Sequence, residues 1–269
     1  MEQNNRKYHV GSDMQSHELI DDEILDDMRM LPALSASSLY NQTIQIMGKM
    51  IDYKELRMIY ACAIKEVRTK FEILNTEFNL RYHRNPITSI QSRLKSTASI
   101  LSKISYLKKD PNIESIKENI HDIAGVRVVC SYIDDVFLIA EAFLKQDDIK
   151  LIVKKDYITA PKENGYRSLH LIVEVPVFLA ERRVDMKVEV QIRTIAMDFW
   201  ASLEHQLHYK QNLEEKELLG DDLQECAKQI CEIDKRMMEL RKKMEEITDE
   251  PTQEQILFEK FRKIDMSIE

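Results

Sequence analysis

The sequence predicts an α/β (α+β) protein in which helices flank a mixed β-sheet and long helices lie near both ends. The composition favours helices, because the 269 residues include only five glycines and six prolines, while 43% are hydrophobic and 32% are charged. Apolar residues recur at steps of three and four over residues 56–78 and again over 219–247. Short β-branched runs between these two segments predict the sheet.

The charge is unevenly distributed along the chain. A net charge of −8 argues against DNA, an extended RNA or a membrane surface as a partner. Residues 81–109 nevertheless contain seven Lys or Arg and no Asp or Glu, whereas residues 212–269 contain ten basic and seventeen acidic residues. A basic segment inside an acidic protein indicates a local anionic ligand.

The cysteines and the hydropathy bear on the cellular compartment. No CxxC pair and no preceding signal peptide accompany the four cysteines, which are Cys62, Cys130, Cys226 and Cys231. We therefore expect reduced thiols and a cytoplasmic protein. No apolar run approaches the roughly eighteen residues that cross a bilayer, so no membrane span is expected.

Three regions are expected along the chain. Residues 1–50 are polar and predict a partly disordered extension. Residues 51–210 carry the helix and strand patterns of a folded domain. Residues 211–269 predict a helical hairpin, because a four-three apolar spacing runs from Leu219 to Ile247, stops at Pro251 and resumes at Leu257. An exposed apolar stripe of this length must pack on the domain or on another subunit, and we favour oligomerisation.

The first half of the central region begins with an amphipathic helix from about Asp52, which breaks at Pro86. A short approach, a helix over 96–108 and a second helix over 113–120 are predicted next. A glycine turn at Gly125 then leads into the first predicted strand, and Asp134 is predicted to cap a helix ending near Lys145.

The second half is predicted to complete the mixed sheet. Strands are expected over 149–154, 168–175 and 187–192, with a loop over 156–165 and a turn over 180–185. Thr194 is predicted to cap a final helix that carries Asp198, Trp200, Glu204 and His205.

Residues 162–193 predict a phosphate or nucleotide site. A lysine, a glycine turn and a tyrosine precede one strand, and the last strand alternates polar and apolar residues. Because side chains alternate across a strand, Glu189, Gln191 and Arg193 are expected on one face. An ordinary solvated sheet face remains the alternative interpretation.

A site that transfers a phosphoryl or pyrophosphoryl group needs carboxylates for Mg²⁺, cations for phosphates and a general base. Asp122 is a candidate Mg²⁺ ligand, and Glu189 could share the metal or act as the base. Tyr166 could stack on a base, and Asp198 could accept two hydrogen bonds from guanine. The candidate phosphate partners are Arg93, Lys95, Lys103, Lys155, Lys162 and Arg193.

Each of these residues also has a purely structural interpretation. Asp122 could be a turn residue, Tyr166 a core residue and Asp198 a helix-dipole partner. His121 and Asp122 are superficially similar to the HD phosphohydrolases, but here the pair enters a predicted strand. Glu204, His205 and His208 could be a metal set, although an exposed helical face is the commoner explanation.

Four segments together resemble the RelA/SpoT synthetase domain, in the order and spacing of its small, stand-alone alarmone synthetases of the RelP/RelQ type. The segments are Asp122–Arg127, Lys162–His170, Val188–Thr194 and Asp198–His205. The resemblance extends from about residue 53 to 245. It implies a nucleotidyltransferase-like fold and a Mg²⁺-dependent GTP pyrophosphokinase that moves the β,γ-pyrophosphate of ATP to the 3′-hydroxyl of GTP or GDP, giving AMP and (p)ppGpp.

The resemblance also implies roles for individual residues. Asp122 would bind Mg²⁺, and Glu189 would activate the 3′-hydroxyl. Arg93 and Arg127 would sandwich adenine, and the remaining ATP-side residues would be Lys95, Ser99 and Lys103. Tyr166 would stack on guanine. The remaining acceptor-side residues would be Lys155, Lys162, His170, Gln191, Arg193, Asp198 and His205. The small members form homotetramers through their terminal helices.

Two departures from the family pattern carry expectations. Tyr106 stands where the family often has an arginine, which predicts weaker ATP binding unless Lys108 compensates. Ser89 stands where RelQ-like members have an aromatic residue, which predicts weak or absent activation by alarmone. Two rival functions stay open: pyrophosphorylation of the tRNA 3′ end, for which the basic segment could guide RNA, and a non-catalytic oligomeric nucleotide sensor. The preference among GTP, GDP and GMP also stays open.

Overall fold

The computed structural model describes residues 36–82, 84–209 and 213–247. The chain divides into two units, Met1–Tyr53 and Lys54–Glu269. The described part of the first unit is helical. The second unit contains the sheet, and every contact discussed below lies within it. The predicted extension over 1–50 and the hairpin after Pro251 fall largely or wholly outside the described residues.

The elements follow in chain order. The helices are α1 (Ala36–Tyr82), α2 (Thr97–Tyr106), α3 (Ile113–Asn119), α4 (Ile133–Leu144), α5 (Ile195–Tyr209) and α6 (Leu213–Ile247). The strands are β1 (Ile87–Leu94), β2 (Ala124–Cys130), β3 (Lys150–Asp156), β4 (Leu169–Phe178) and β5 (Arg183–Thr194). None of the described helices is long and apolar enough to cross a membrane.

The five strands form one mixed sheet in the order β1-β2-β5-β4-β3. The β2–β5 pair is parallel, and the other three pairs are antiparallel. The mixed sheet with flanking helices and long terminal helices confirms the predicted fold class. The β2 and β5 strands can run parallel because α4, β3 and β4 together form the long connection that a parallel pair requires.

The core lies on one face of this sheet. Valine, isoleucine and leucine alternate with polar residues along β2, β4 and β5, so one face is buried and the other is only half-buried. The apolar stripe of α1 and the buried side of α4 belong to this core, and Phe71 stacks on Phe143 with ring centroids 4.4 Å apart. We call the other face, which carries Glu189, the polar face.

Three local predictions were wrong. Ile87–Leu94 forms an edge strand that was predicted only as a short approach, because its Thr, Ser and Gln residues lack apolar alternation and only its first residue, Ile87, is buried. Gly125 lies inside β2 and not in a turn, paired with Arg93 on one side and Glu189 on the other. Tyr132, and not Asp134, is the N-cap residue of α4, although Asp134 lies in its first turn.

The first helix was predicted from about Asp52, but α1 begins at Ala36 and so includes the last part of the predicted extension. The remaining predicted elements are confirmed within a few residues. Ser96 and Asn112 cap α2 and α3 by accepting hydrogen bonds from Ser99 N and Ser115 N. Thr194 Oγ1 accepts a hydrogen bond from Met197 N at 3.2 Å, as expected for the cap of α5. The strand β5 begins at Arg183, so the predicted turn over 180–185 is shorter than expected.

Candidate functional site

A row of polar side chains crosses the polar face. Residues paired across neighbouring strands point to the same face, because the pleats of the strands are aligned. One such row spans all five strands and consists of Gln91, Arg127, Gln191, His170 and Lys155. A second row lies two residues away along each strand, and there Arg93 and Glu189 flank Gly125. Cations, amides and one carboxylate therefore share a single surface.

A cavity of about 320 Å³ lies over the β1, β2 and β5 end of this surface. Its lining residues are Gln91, Ser92, Arg93, Lys95, Asp122, Gly125, Val126, Arg127, Glu189 and Gln191. We call it the donor cavity, because most residues predicted on the ATP side line it. Lys95 reaches it because its backbone N–H donates to Ile123 O at 2.8 Å and continues the β1–β2 pairing past Leu94.

Asp122 is held between two lysines at the edge of the donor cavity. Lys95 Nζ and Lys103 Nζ donate to its two carboxylate oxygens, each at 2.8 Å. Burial favours the neutral acid, but the hydrogen bonds and charges of Lys103 and Lys95 outweigh it and lower the pKa of Asp122. The carboxylate is therefore ionised over the physiological range.

A second cavity, of about 240 Å³, lies over β3, β4 and β5. It is lined by Val153, Lys155, Tyr157, Lys162, His170, Ile172 and Glu189. We call it the acceptor cavity. Glu189 lines both cavities, so its carboxylate lies where the contents of the two would meet.

Burial also favours the neutral form of Glu189. Its neighbours reverse that effect and lower its pKa: His170 Nδ1 lies 3.5 Å from Oε1, and Gln191 Nε2 donates to Oε2 at 3.1 Å. An Nδ1–H pointing at Glu189 leaves His170 Nε2 as an acceptor for the hydroxyl of Tyr166, 2.8 Å away. Burial raises the pKa of Tyr166, so that hydroxyl keeps its proton.

The polar chain continues from Gln191 to Asp198. Arg193 Nη2 donates to Gln191 Oε1 at 2.6 Å, and Arg193 Nη1 lies 3.5 Å from Asp198 Oδ1. Arg127 Nη1 approaches the same oxygen at 3.4 Å. The Arg193 side chain is only 2% exposed and its guanidinium lies 5.8 Å from the Tyr166 ring centroid. Arg193 is thus a buried residue that contacts Gln191, Asp198 and Tyr166, and it lines neither cavity.

Sequence reasoning missed Tyr157 at the acceptor cavity. Its ring makes edge contacts with Tyr166 and His170, with centroids 6.2 and 5.3 Å apart. Lys162 Nζ lies 4.8 Å from the Tyr157 centroid and 4.9 Å from that of Tyr166. The only sequence signal was the position of Tyr157 two residues after Lys155 (with Asp156 between), at the end of β3.

Six predicted site residues line neither cavity, namely Ser99, Lys103, Tyr166, Arg193, Asp198 and His205. Lys103 and Tyr166 nevertheless contact lining residues, Asp122 and His170. Ser99 lies in the first turn of α2, where its hydroxyl is 2.8 Å from that of Ser96. His205 is exposed on α5. Its neighbour Glu204 accepts a hydrogen bond from Asn164 Nδ2 at 3.1 Å. Across the described part of the chain, no group of three or more His, Cys, Asp or Glu could hold a metal, and the side chain of His208 lies outside that part.

Asp122 and Glu189 fit a magnesium ion whose other ligands are phosphate oxygens and water. Both are ionised, both offer hard oxygen ligands and both line the donor cavity. Mg²⁺ in nucleotide enzymes is usually held by one or two carboxylates together with substrate phosphates. A set of only two protein ligands is therefore what such a site requires.

Gly165 fixes the loop between β3 and β4 against α6. Its φ of +87° is a conformation that side-chain-bearing residues rarely adopt, and an added Cβ would lie 2.4 Å from Ala227 Cβ. Gln224 Nε2 donates to Glu163 O at 2.8 Å next to this contact. The loop that carries Lys162 and Tyr166 is thereby seated on the C-terminal helix.

We expect Gly165→Ala to lower the free energy of unfolding by about 2 kcal/mol, since both the backbone and the space oppose a methyl group. Thermal melting measures this loss. Gly220→Ala is the matched control on α6, where nothing lies within 4 Å of the new methyl group. That control should stabilise the helix by about 0.5–1 kcal/mol. Equal melting temperatures for both variants would contradict the packing described here.

The chain has clear relatives among known proteins. A protein-family model described as the region found in RelA / SpoT proteins matches residues 92–214. The GTP pyrophosphokinase YwaC of Bacillus subtilis (strain 168) is 43% identical over 196 residues, which cover 73% of this chain and 93% of YwaC. The GTP pyrophosphokinase YjbM of the same organism is 35% identical over 189 residues, which cover 70% of this chain and 87% of YjbM.

Solved structures agree with this relationship. The small alarmone synthetase 1 from Bacillus subtilis, bound to its product pppGpp, superposes with a TM-score of 0.65 at 31% identity, covering 72% of this chain and 98% of that one. The small alarmone synthetase 2 from the same organism gives 0.64 at 43% identity, with 71% and 99% covered. This chain therefore belongs to the small alarmone synthetases, the family of GTP pyrophosphokinases that carry the RelA/SpoT region.

Proposed function

We propose that this chain, a GTP pyrophosphokinase that makes (p)ppGpp, places ATP in the donor cavity and GTP or GDP in the acceptor cavity. The observation that carries this assignment is the position of Glu189, whose carboxylate lines both cavities. A group that is transferred from a nucleotide in one cavity to a nucleotide in the other must cross the place where the two cavities meet, and Glu189 lies there. The lowered pKa keeps this carboxylate ionised, so it is available at that boundary to accept the proton of the attacking hydroxyl.

On the donor side, Lys95 and Lys103 bind the phosphates of ATP. Both lysines pair with Asp122, so the incoming phosphates offer them a second anion. Asp122 and Glu189 hold Mg²⁺, which when bound neutralises charge that develops on the transferred phosphates. Arg93 and Arg127 line the same cavity, where their planar guanidinium groups are available to adenine.

On the acceptor side, Lys155 and Lys162 bind the 5′-phosphates of the guanine nucleotide. Tyr166 and Tyr157 provide aromatic surface beside Lys162, and His170 joins Tyr166 to Glu189. Gln191 and Arg193 connect Glu189 to Asp198. Asp198 contacts the edge of guanine, where a carboxylate accepts from both N1–H and the exocyclic amine.

The reaction joins the two sides in one displacement. Glu189 accepts the proton of the 3′-hydroxyl while the 3′-oxygen attacks the β-phosphorus of ATP. The new bond joins the 3′-oxygen to the β-phosphorus, and the bond from that phosphorus to the oxygen shared with the α-phosphate breaks. AMP leaves with that oxygen and its electron pair. Positioning and charge neutralisation by the cations provide most of the catalysis.

The product assay tests this function directly. Purified protein is incubated with Mg²⁺, labelled ATP and either GMP, GDP, GTP or bulk tRNA, and the products are separated. We expect a 3′-pyrophosphorylated guanine nucleotide together with AMP, and the yields rank the acceptors. Label on tRNA alone would support the rival tRNA-modifying activity, and no transfer to any acceptor would leave a nucleotide sensor.

The pH dependence tests the link between His170 and Glu189. Because the neighbours of Glu189 lower its pKa, the base stays ionised below the usual titration range of a glutamate, and the acid limb of kcat is expected at a lower pH than an unperturbed glutamate would give. His170 makes the largest contribution that lowers this pKa. His170→Ala should therefore move the acid limb to higher pH. Lys145→Ala is the control, because it removes an exposed cation that pairs with Glu141 and lines neither cavity. Equal shifts in both variants would exclude a specific link.

We also propose a homotetramer formed through the exposed stripe of α6. Ile233, Met237, Leu240, Met244 and Ile247 lie along one side of the helix, and each is between 46 and 83% exposed in the single chain. Large apolar side chains in a continuous stripe favour a helical partner. Light scattering would give the mass, and that of a single 31.7 kDa chain would contradict the assembly.

A further inference from the structure

The C-terminal helix contributes one buried carboxylate to the domain. Asp234 is only 5% exposed, whereas the other acidic residues from Asp221 to Glu246 on this helix are exposed. It lies two turns after Ala227, on the side that faces the β3–β4 loop. Its Oδ2 accepts a hydrogen bond from Thr194 Oγ1 at 2.7 Å. A buried carboxylate costs free energy unless it is paired, so its position needs an explanation.

The partner of Asp234 joins two elements of the site. Thr194 ends β5, the strand that carries Glu189, Gln191 and Arg193, and its hydroxyl oxygen also accepts from Met197 N at 3.2 Å in the first turn of α5. A hydroxyl has a single proton. Because the hydroxyl donates that proton in its hydrogen bond to Asp234, its oxygen lone pairs are left to accept from Met197 N, so the carboxylate sets the orientation of the cap. Asp198 lies one residue after Met197.

A second group faces Asp234 from the loop that carries Tyr166. Arg167 Nη2 donates to Ile158 O at 3.1 Å, whereas its Nε and Nη1 are buried without a hydrogen-bond partner among the described residues. Arg167 and Asp234 line the same void of about 10 Å³, beside Gly165 and Trp200. Burial raises the pKa of Asp234, while the hydrogen bond from Thr194 and the charge of Arg167 oppose that effect and favour the ionised carboxylate. The void is about large enough for one water molecule between them.

We propose that Asp234 is a positioning residue for the guanine acceptor, acting through Thr194 on Asp198 and through Arg167 on Tyr166. Both residues predicted to contact the guanine base are thereby held by one carboxylate from the C-terminal helix. Asp234 contacts neither cavity and is not a catalytic residue. The donor-side residues Lys95, Lys103 and Asp122 form their own ion pairs, which do not involve it. This proposal rests on the proposed function of the acceptor cavity.

The proposal predicts a selective loss of acceptor binding. In Asp234→Asn the side chain keeps its shape and can still accept from Thr194, but its charge opposite Arg167 is lost. Asp234→Ala loses both contacts, and Thr194→Val loses the hydroxyl alone. We expect KM for GDP to rise about tenfold in Asp234→Ala and less in Asp234→Asn, while KM for ATP changes less than about twofold. Asp221→Asn, an exposed aspartate on the same helix, is the control.

Two measurements separate positioning from a general loss of stability. Calorimetry with GDP alone and with a non-hydrolysable ATP analogue alone, well below the melting temperature of each variant, should show weaker binding of GDP only. The double variant Thr194→Val/Asp234→Ala should lose less than the sum of the two single losses, because they remove one shared interaction. Additive losses, equal weakening of both nucleotides, or unchanged GDP binding in a destabilised variant would overturn the proposal.

The wild-type protein in the same assays distinguishes the two levels of inference. Synthesis of alarmone by the wild type with unchanged acceptor binding in the Asp234 variants overturns only the positioning role. Absence of synthesis by the wild type contradicts the proposed function, and the binding comparison then still tests whether Asp234 positions a guanine nucleotide.

Discussion

Glu189→Gln should lower kcat by about 10²–10⁴-fold while leaving the binding of both nucleotides nearly unchanged. The amide has the shape of the carboxylate, and its oxygen can still accept from Gln191 Nε2, so the hydrogen-bonded chain towards Asp198 is retained. The substitution removes the group that accepts the proton of the 3′-hydroxyl. Single-turnover kinetics with saturating ATP and GDP, together with calorimetry for each nucleotide, measure the two effects separately.

Glu174→Gln is the matched control for this variant. Glu174 lies on β4, pairs with Lys150 and lines neither cavity, so its loss should change kcat less than about twofold. Unchanged turnover in Glu189→Gln would remove Glu189 from the role of base. Lost binding of both nucleotides would instead make Glu189 a structural residue.

Asp122→Asn should lower turnover without weakening the binding of ATP. Without the carboxylate, Lys95 and Lys103 lose the anion that they share, and the donor cavity becomes more positive. KM for ATP should therefore stay the same or fall. Turnover should drop by about 10³-fold, because a ligand for the divalent cation is missing, and the stabilisation that such an ion provides is worth several kcal/mol.

Steady-state kinetics over a range of Mg²⁺ concentrations test this variant. The concentration of Mg²⁺ that gives half-maximal activity should rise in Asp122→Asn. Asp110→Asn, an exposed substitution just after the basic segment, should leave it unchanged. A variant that loses ATP affinity but keeps its turnover and its Mg²⁺ requirement would show that Asp122 acts only as a partner of the lysines.

The polar face was largely predictable because strand geometry is local. Alternation along 188–193 placed Glu189, Gln191 and Arg193 on one side, and the hydrogen bonds that join them confirm it. Helix starts with Ser96, Asn112 and Thr194 were predictable for the same reason, since a cap is formed within three residues of chain.

The edge strand was not predictable, because it exists only through pairing with β2. Its residues have no apolar alternation, and the hydrogen bonds that define it come from residues more than thirty positions later. Arg93 was predicted in a short approach but lies near the end of β1, and it still lines the donor cavity.

By itself, the sequence predicted the fold class, the family and most of the charged side chains that line the two cavities, because these depend on residue type, motif order and local periodicity. Only the tertiary structure decided that Glu189 is shared by two cavities, that Arg193 is buried, that Tyr157 joins the acceptor cavity and that Asp234 reaches Thr194. These facts depend on which distant element packs against a residue. The free energy of burying a charge is set by that packing, and no local pattern records it.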